Sequence, residues 1–283
     1  MKVTFVVLHY ETIEDTKECL DSLQKYMGDQ LVNVVVVDNG SKKGLLKVLE
    51  PEYCVNDRIH FLYSDENLGF AKGNNLGFFY AKKYLKSDII VLSNNDIVYK
   101  QQDFVDEMIK VISKQKIDVA GPQIISLVDK KNQNPVPVLY PDIISVTKRI
   151  WKFYILYCLS YFNMDTIMKK IFSKEVQEYS AYENNYQLHG ACLILSNRFI
   201  DLFDGLYDGT FMYMEEGILK YMVEQNELKM EYIDTLKVFH KEGSSTGKIY
   251  GEGKVKRQFY YKWNIDGCKK LRNMMLKSNK LTQ

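Results

Sequence analysis

Over its first hundred positions the chain alternates short apolar runs with amphipathic helical patterns, and that alternation admits few folds. Val3 to Leu8, Val32 to Val37, Ile59 to Tyr63 and Ile89 to Leu92 are mainly β-branched or aromatic, as strands buried on both faces require. Between them, Asp15 to Tyr26 carries Cys19, Leu20 and Leu23 on one helical face. Phe70 to Leu85 carries Leu76, Phe79, Tyr80 and Leu85 beside lysines that should be exposed. Strand followed by helix, repeated, predicts an α/β fold built on a doubly wound, largely parallel sheet. A further helix is expected from Asp103 to Lys114, then a short strand near Val119.

From Asp129 to Tyr186 the alternation fails. Pro135, Pro137 and Pro141 interrupt the backbone, and Lys148 to Phe172 mixes Trp151, Phe153, Tyr154, Tyr157, Tyr161 and Phe162 with lysines and Arg149. The α/β theme returns with apolar Ala191 to Leu195, a helix from Glu215 to Glu227, and strand-like runs around Tyr232 and Val238. A basic amphipathic tail, Lys254 to Lys277, follows. The expected organisation is 1–128 and 187–253 as two halves of one domain, 129–186 as an aromatic, basic helical insert, and 254–283 as a helical tail.

The 283 residues suffice for a sizeable core, and no internal repeat is visible. With 38 basic and 36 acidic residues the formal charge is +2, which argues against a dedicated nucleic-acid binder. The five cysteines lack CxxC spacing and fit a reduced, cytoplasmic protein. The N-terminal apolar run is too short for a signal peptide and reads as the first strand. No uncharged apolar stretch approaches the roughly 20 residues that span a bilayer.

Two oxygen-rich clusters, Asp38-Asn39-Gly40-Ser41 and Asn94-Asn95-Asp96, directly follow apolar runs, and Asn67 to Asn75 lies between them. In open α/β sheets, ligands bind outside the carboxyl ends of the strands, so the three clusters together read as a nucleotide site. Asp38 could accept a hydrogen bond from a nucleobase imide or ribose hydroxyl; it could equally cap the helix that follows. Asn67 to Asn75 contains Gly69 and Gly73, which permit close backbone approach, and Lys72, which could face a phosphate. Its spacing is not that of a P-loop, and a plain strand-to-helix connection would look similar. Asn95 and Asp96 offer one carboxylate and amide oxygens, enough for Mg²⁺ or Mn²⁺ only if a diphosphate completes the shell; an Asn-rich turn is the alternative.

Farther along, His189-Gly190-Ala191-Cys192 precedes the second apolar block, and Glu215-Glu216 opens a helix, where the dipole alone explains one carboxylate. The other is a candidate base. His240, followed by Lys241-Glu242-Gly243-Ser244-Ser245, could bind a metal or a phosphate, although a single histidine is more often structural.

In this order, the motifs resemble the inverting, GT-A-fold glycosyltransferases of family 2, particularly bacterial rhamnosyltransferase-like enzymes of capsule and other surface-polysaccharide assembly. Val34 to Ser41 looks like the family's nucleotide-binding strand, and Asn67 to Asn75 like its next signature. Asn94-Asn95-Asp96 resembles a degenerate DxD, and Gly205 to Glu216 the acceptor-side segment ending in an acidic pair. The resemblance implies a GT-A (Rossmann-like) sheet, mixed and mainly parallel, flanked by helices. It also implies a UDP- or dTDP-sugar donor, a Mg²⁺ or Mn²⁺ ion, and direct displacement at the anomeric carbon.

By position, His9, Glu11, Asp38, Lys72, Asn75 and Asn95 would serve the donor, and Asp96 and His240 the metal. His189, Gly190 and Glu215 would lie on the acceptor side, with Glu216 as general base. Three positions depart from the family pattern: Glu216 replaces a shorter Asp, Gly217-Ile218 replaces a stretch that often holds another acid, and Trp263 stands where an Arg is common. They leave a catalytically silent nucleotide-sugar-binding module as the alternative. A membrane-interface scaffold is the other, since the aromatic, basic insert suits headgroups as well as a buried flap or self-association. The acceptor implied is lipid-linked or oligosaccharide, reached by a protein peripheral to the inner face of the cell membrane.

Overall fold

The computed structural model describes residues 1–26, 32–138, 140–172, 185–242 and 253–281. Its centre is an eight-stranded mixed sheet. Strands β1 (Val3–His9), β2 (Val32–Asp38), β3 (Ile59–Tyr63) and β4 (Ile89–Asn94) come from the alternating half. Short β5 (Ile97–Tyr99) and β6 (Val119–Ser126) follow. β7 (Val136–Pro137) and β8 (Tyr186–Gln187), with the insert between them, pair antiparallel as a separate small ladder, and β9 (Cys192–Ser196) and β10 (Met230–His240) complete the main sheet.

The order is β3-β2-β1-β4-β9-β6-β10-β5. The first four strands are parallel, β9 runs antiparallel to both β4 and β6, and β5 runs antiparallel to β10. Connections leave β1 in opposite directions along the sheet, so the crevice at the carboxyl ends of β1 and β4 is the topological switch point. Expected strand-like runs around Tyr232 and Val238 are one strand, β10, bulged between Ile233 and Lys237.

Alternating side chains send the β-branched residues to both faces. Val3, Phe5 and Val7 join Leu20, Leu23, Phe104 and Met108, which come from α1 (Ile13–Tyr26) and α4 (Phe104–Gln115). On the other face, Val6, Val35 and Val37 meet α3 (Phe70–Tyr80), α7 (Asn197–Leu202) and α8 (Glu215–Gln225). Between β2 and β3 lie a 3₁₀ turn at Lys42–Val48 and the one-turn α2 (Glu50–Tyr53).

The face of α3 differs from the sequence expectation. Leu76 and Phe79 are exposed, whereas Ala71, Gly73, Asn74, Gly77 and Phe78 are buried. The helix lies so close to the sheet that a Cβ on Gly77 would stand 2.3 Å from Val6 Cγ1. Close approach selects small residues, and the bulky ones are turned aside.

The insert is helical, with α5 (Ile143–Ser160) capped by Asp142, whose side chain accepts from Ser145 N at 2.7 Å. It is followed by α6 (Asp165–Phe172), while the final helix α9 spans Lys254–Leu281. Val146, Ile150, Phe153 and Leu156 of α5 meet Tyr261, Ile265, Cys268 and Leu271 of α9, and Met214 and Ile218 join this third cluster. The Asp165 carboxylate, fully buried, pairs with Arg257 and accepts from the Tyr261 hydroxyl at 2.8 Å, locking α6 to α9. Phe153, one of the insert's aromatics, is therefore a core residue. Part of the expected insert and Gly243-Ser244-Ser245 lie outside the described residues.

Candidate active site at the carboxyl edge of the sheet

Strand register brings His9 of β1 beside Asp38 of β2. Asp38 is buried and accepts the Ser41 N–H at 2.8 Å, while Ser41 Oγ accepts from Glu11 N at 2.9 Å. Glu11, at φ +62°, returns the link by accepting from Lys42 N at 3.0 Å. Asp38 and Glu11 thus tie the two strand-end turns together at the crevice.

His9 is fully buried, its Nδ1 2.6 Å from Thr16 Oγ1, and burial lowers its pKa, so the ring is neutral at physiological pH. The Asn95 amide donates to Thr12 Oγ1 at 2.8 Å and Thr16 Oγ1 at 2.9 Å. His9 and Asn95, expected as donor contacts, stand beneath the crevice as its framework. Asn75 is likewise engaged: its amide donates to Leu206 O and accepts from Leu206 N, each at 2.8 Å, clasping the acceptor-side segment to α3. Lys72, by contrast, is exposed.

Asn39, quoted in the sequence only as part of its motif, latches the Leu68–Gly69 turn to the end of β2. Its oxygen accepts from Leu68 N at 3.0 Å and its nitrogen donates to Gly69 O at 3.0 Å. Gly69 has φ +84°, ψ −174°, a conformation that side-chain-bearing residues avoid, and a Cβ there would lie 2.1 Å from the Phe211 carbonyl oxygen. That carbonyl accepts Phe70 N–H at 2.9 Å, joining the start of α3 to the segment before Glu215.

Asp96 and His240 meet because β5 pairs with β10: Ile97 is opposite His240, and Lys241 N donates to Asp96 O at 3.0 Å. Both side chains are nearly buried. His240 Nδ1 lies 2.7 Å from Gln133 Oε1, so Nδ1 donates there and Nε2 is the ring atom turned toward Asp96. Asp96 Oδ1 is 3.2 Å from that Nε2 and has no hydrogen-bond partner. A carboxylate oxygen and an imidazole nitrogen held this close share a cation, either a proton or a metal ion. One carboxylate and one imidazole suit Mn²⁺ better than Mg²⁺, provided phosphate oxygens and water complete the shell. Among the described residues no three His, Cys, Asp or Glu side chains gather closely enough to hold an ion alone.

The antiparallel insertion of β9 delivers the residues expected on the acceptor side to the same edge, since Ala191 O accepts from Asn94 N at 2.9 Å. His189 Nδ1 accepts from Ala191 N at 3.1 Å, and its ring meets that of His240 edge-on at 5.9 Å. Burial and then nearby charges set its pKa, with a net lowering that keeps it neutral. Gly190 N faces Glu216 Oε1 at 3.4 Å.

Tyr213 and Met214, both at positive φ, turn the chain into α8 so that its two leading carboxylates diverge. Glu215 is buried and accepts from Thr210 Oγ1 at 3.1 Å; burial, then the Glu216 charge, pushes its pKa up to about 8. Glu216 is half-buried and faces His189 and Gly190. Behind it, a cleft of about 650 Å³ runs between Gly217, Tyr221 and Tyr140 and the start of α5 at Ile143 and Ile144. Beside the site Phe211 stacks on Trp263 at 4.6 Å, the position where the sequence departs from the family's Arg.

Gln133 and Thr16, which orient His240 and His9, carried no motif and were not anticipated. Their roles depend on loop and helix placement.

The model of "Glycosyl transferase family 2" matches residues 4–172, which include Asp38, Lys72 and Asp96; Glu216 lies beyond the match. The "Low-salt glycan biosynthesis hexosyltransferase Agl10" of Haloferax volcanii is 20% identical over 243 residues, 84% of this chain and 66% of that protein. The chain therefore spans slightly less than two thirds of this relative's length. Solved structures agree in fold. S. aureus TarS 1–349 in complex with UDP gives TM-score 0.57 at 16% identity, over 86% of this chain and 61% of that one. GalNAc-T7 with UDP, GalNAc and Mn²⁺ also gives 0.57, at 13% identity, over 86% and 44%. The mixed, mainly parallel sheet with flanking helices is the expected GT-A architecture, and with more than half of its length matched, this chain belongs to glycosyl transferase family 2.

Proposed function

We propose that the chain transfers a hexosyl or rhamnosyl unit from a UDP- or dTDP-sugar to a saccharide hydroxyl, with inversion at the anomeric carbon. The observation that carries this reading is the convergence at one sheet edge of the Asp96–His240 pair with Glu216, bridged by His189 and Gly190. Cation-binding groups for a diphosphate and a half-buried base stand within one crevice.

In this reading Asp38 and Glu11 hold the nucleoside side, Lys72 offers a charge to the phosphates, and Asp96 and His240 hold Mn²⁺ or Mg²⁺. When bound, that ion would offset the charge on the departing diphosphate. Glu216 takes the proton of the acceptor hydroxyl as its oxygen bonds to the anomeric carbon, and the carbon–oxygen bond to the diphosphate breaks with its electron pair. Direct displacement leaves the configuration inverted. Glu215, protonated near neutrality and turned onto Thr210, is unsuited to be the base. The cleft behind Glu216 offers a route for the acceptor, and the resemblance favours a lipid-linked one used in surface-polysaccharide assembly.

Calorimetry with UDP and dTDP, with and without Mn²⁺, tests the donor half. Asp96→Ala should abolish the Mn²⁺-dependent part of the affinity, and Asp38→Ala should weaken binding even without metal. Unchanged affinity in both variants would remove these residues from the donor site.

A further inference from the structure

Helix α5 is apolar on two faces, and among the described residues only one is covered. Its inward residues meet α9, whereas Ile144, Lys148, Trp151 and Ile155, spaced by four, three and four, share an outward face. Trp151 is 66% exposed and Ile144 67%. Exposed apolar side chains continue through the turn at Phe162 and into α6 at Ile167. Single exposed apolar residues are ordinary, but a run along one helix face marks a docking surface.

Charge selects the occupant. Between positions 143 and 172 the sequence holds five lysines and arginines and one acid, Asp165, which is fully buried and paired with Arg257. Lys148 stands within the stripe, and Lys254 lies over the Tyr161 ring. The exposed Asp142 that caps α5 is outnumbered by these basic residues, so the face repels a second copy of itself and complements an anionic one. A tryptophan flanked by aliphatic residues and lysines matches the headgroup layer of a bilayer. Among the described residues no helix is long and apolar enough to cross a membrane, so contact would be at the surface.

We propose that the outward face of α5, with the α5–α6 turn, docks the protein on anionic phospholipid. Docking is independent of the transfer reaction. Its consequence for the acceptor rests on the proposed function: Ile144 also lines the cleft that reaches Gly217, so a bilayer on this face lies at the cleft's edge.

The test is co-sedimentation of the whole chain with phosphatidylcholine vesicles containing about 30% phosphatidylglycerol, and with phosphatidylcholine alone. Binding should require the anionic lipid and weaken at high salt. Joint Trp151→Ser, Ile155→Ser and Phe162→Ser should lower partitioning about tenfold or more, because about this much is lost with each buried aromatic or aliphatic side chain. Lys148→Glu alone should weaken it and reduce the salt dependence. Far-ultraviolet circular dichroism checks that the triple variant folds; if it does not, Lys148→Glu and Phe162→Ser singly decide. Wild type that ignores anionic vesicles, variants that bind as wild type does, or a solution dimer dispersed by the same substitutions would each overturn the proposal.

Discussion

Replacing Gly69 by alanine tests how the start of α3 is joined to the segment before Glu215. At φ +84°, ψ −174°, a side-chain-bearing residue is strained by about 1–3 kcal/mol. The new Cβ would also lie 2.1 Å from Phe211 O, a backbone atom that cannot swing away as a side-chain tip could. Moving that carbonyl breaks the 2.9 Å bond from Phe70 N, which is worth about 1 kcal/mol. Together these give roughly 2–4 kcal/mol, a large share of the 5–15 kcal/mol that stabilises an ordinary domain. Urea unfolding at neutral pH should show this loss with an unchanged slope, and donor turnover should fall because residues 211–216 lose their anchor on α3. A loss under about 0.5 kcal/mol, within the range of plain surface substitutions, would refute the reasoning.

Two further perturbations probe individual contacts. Asn75→Ala removes both bonds to Leu206 and should cost about 1–3 kcal/mol, read by thermal unfolding, with turnover reduced more than nucleotide affinity. Glu215 binds its proton more tightly folded than unfolded, so its contribution to stability is full below about pH 4.5 and is lost as pH rises through about 8. Glu215→Gln should therefore gain stability relative to wild type across that window, by roughly 2–4 kcal/mol at its alkaline end; a pH-independent difference in unfolding midpoint would contradict the buried, neutral Glu215.

Much of the architecture was legible because β-branched runs ending in Asp38 and Asn94 can hardly be anything but buried strands with polar turns at their carboxyl ends. The face of α3 was misread because hydrophobicity ranks Leu76 and Phe79 above Gly73 and Gly77, while contact with the sheet admits only the small residues. Similarly, Phe153 is indistinguishable from Trp151 in composition; which one is covered depends on α9, far along the chain. The resemblance assigned Asp96 and His240 to one metal; the physical cause of their meeting is the β5–β10 register. The resemblance separated Glu216 from Glu215 by position alone; the physical difference comes from the positive-φ turn at Tyr213 and Met214, which sends one inward to Thr210 and the other toward Gly190.

The most direct measurement is release of nucleoside diphosphate from UDP- and dTDP-sugars in the presence of Mn²⁺, with water as acceptor, in wild type and in Glu216→Gln. The account predicts that wild type hydrolyses at least one of these donors in a metal-dependent way. Glu216→Gln should lower that rate by about 10² to 10⁴ while binding the same donor with nearly unchanged affinity. A wild type that releases no diphosphate from any of them, or a Glu216→Gln variant that turns over as wild type does, would contradict it.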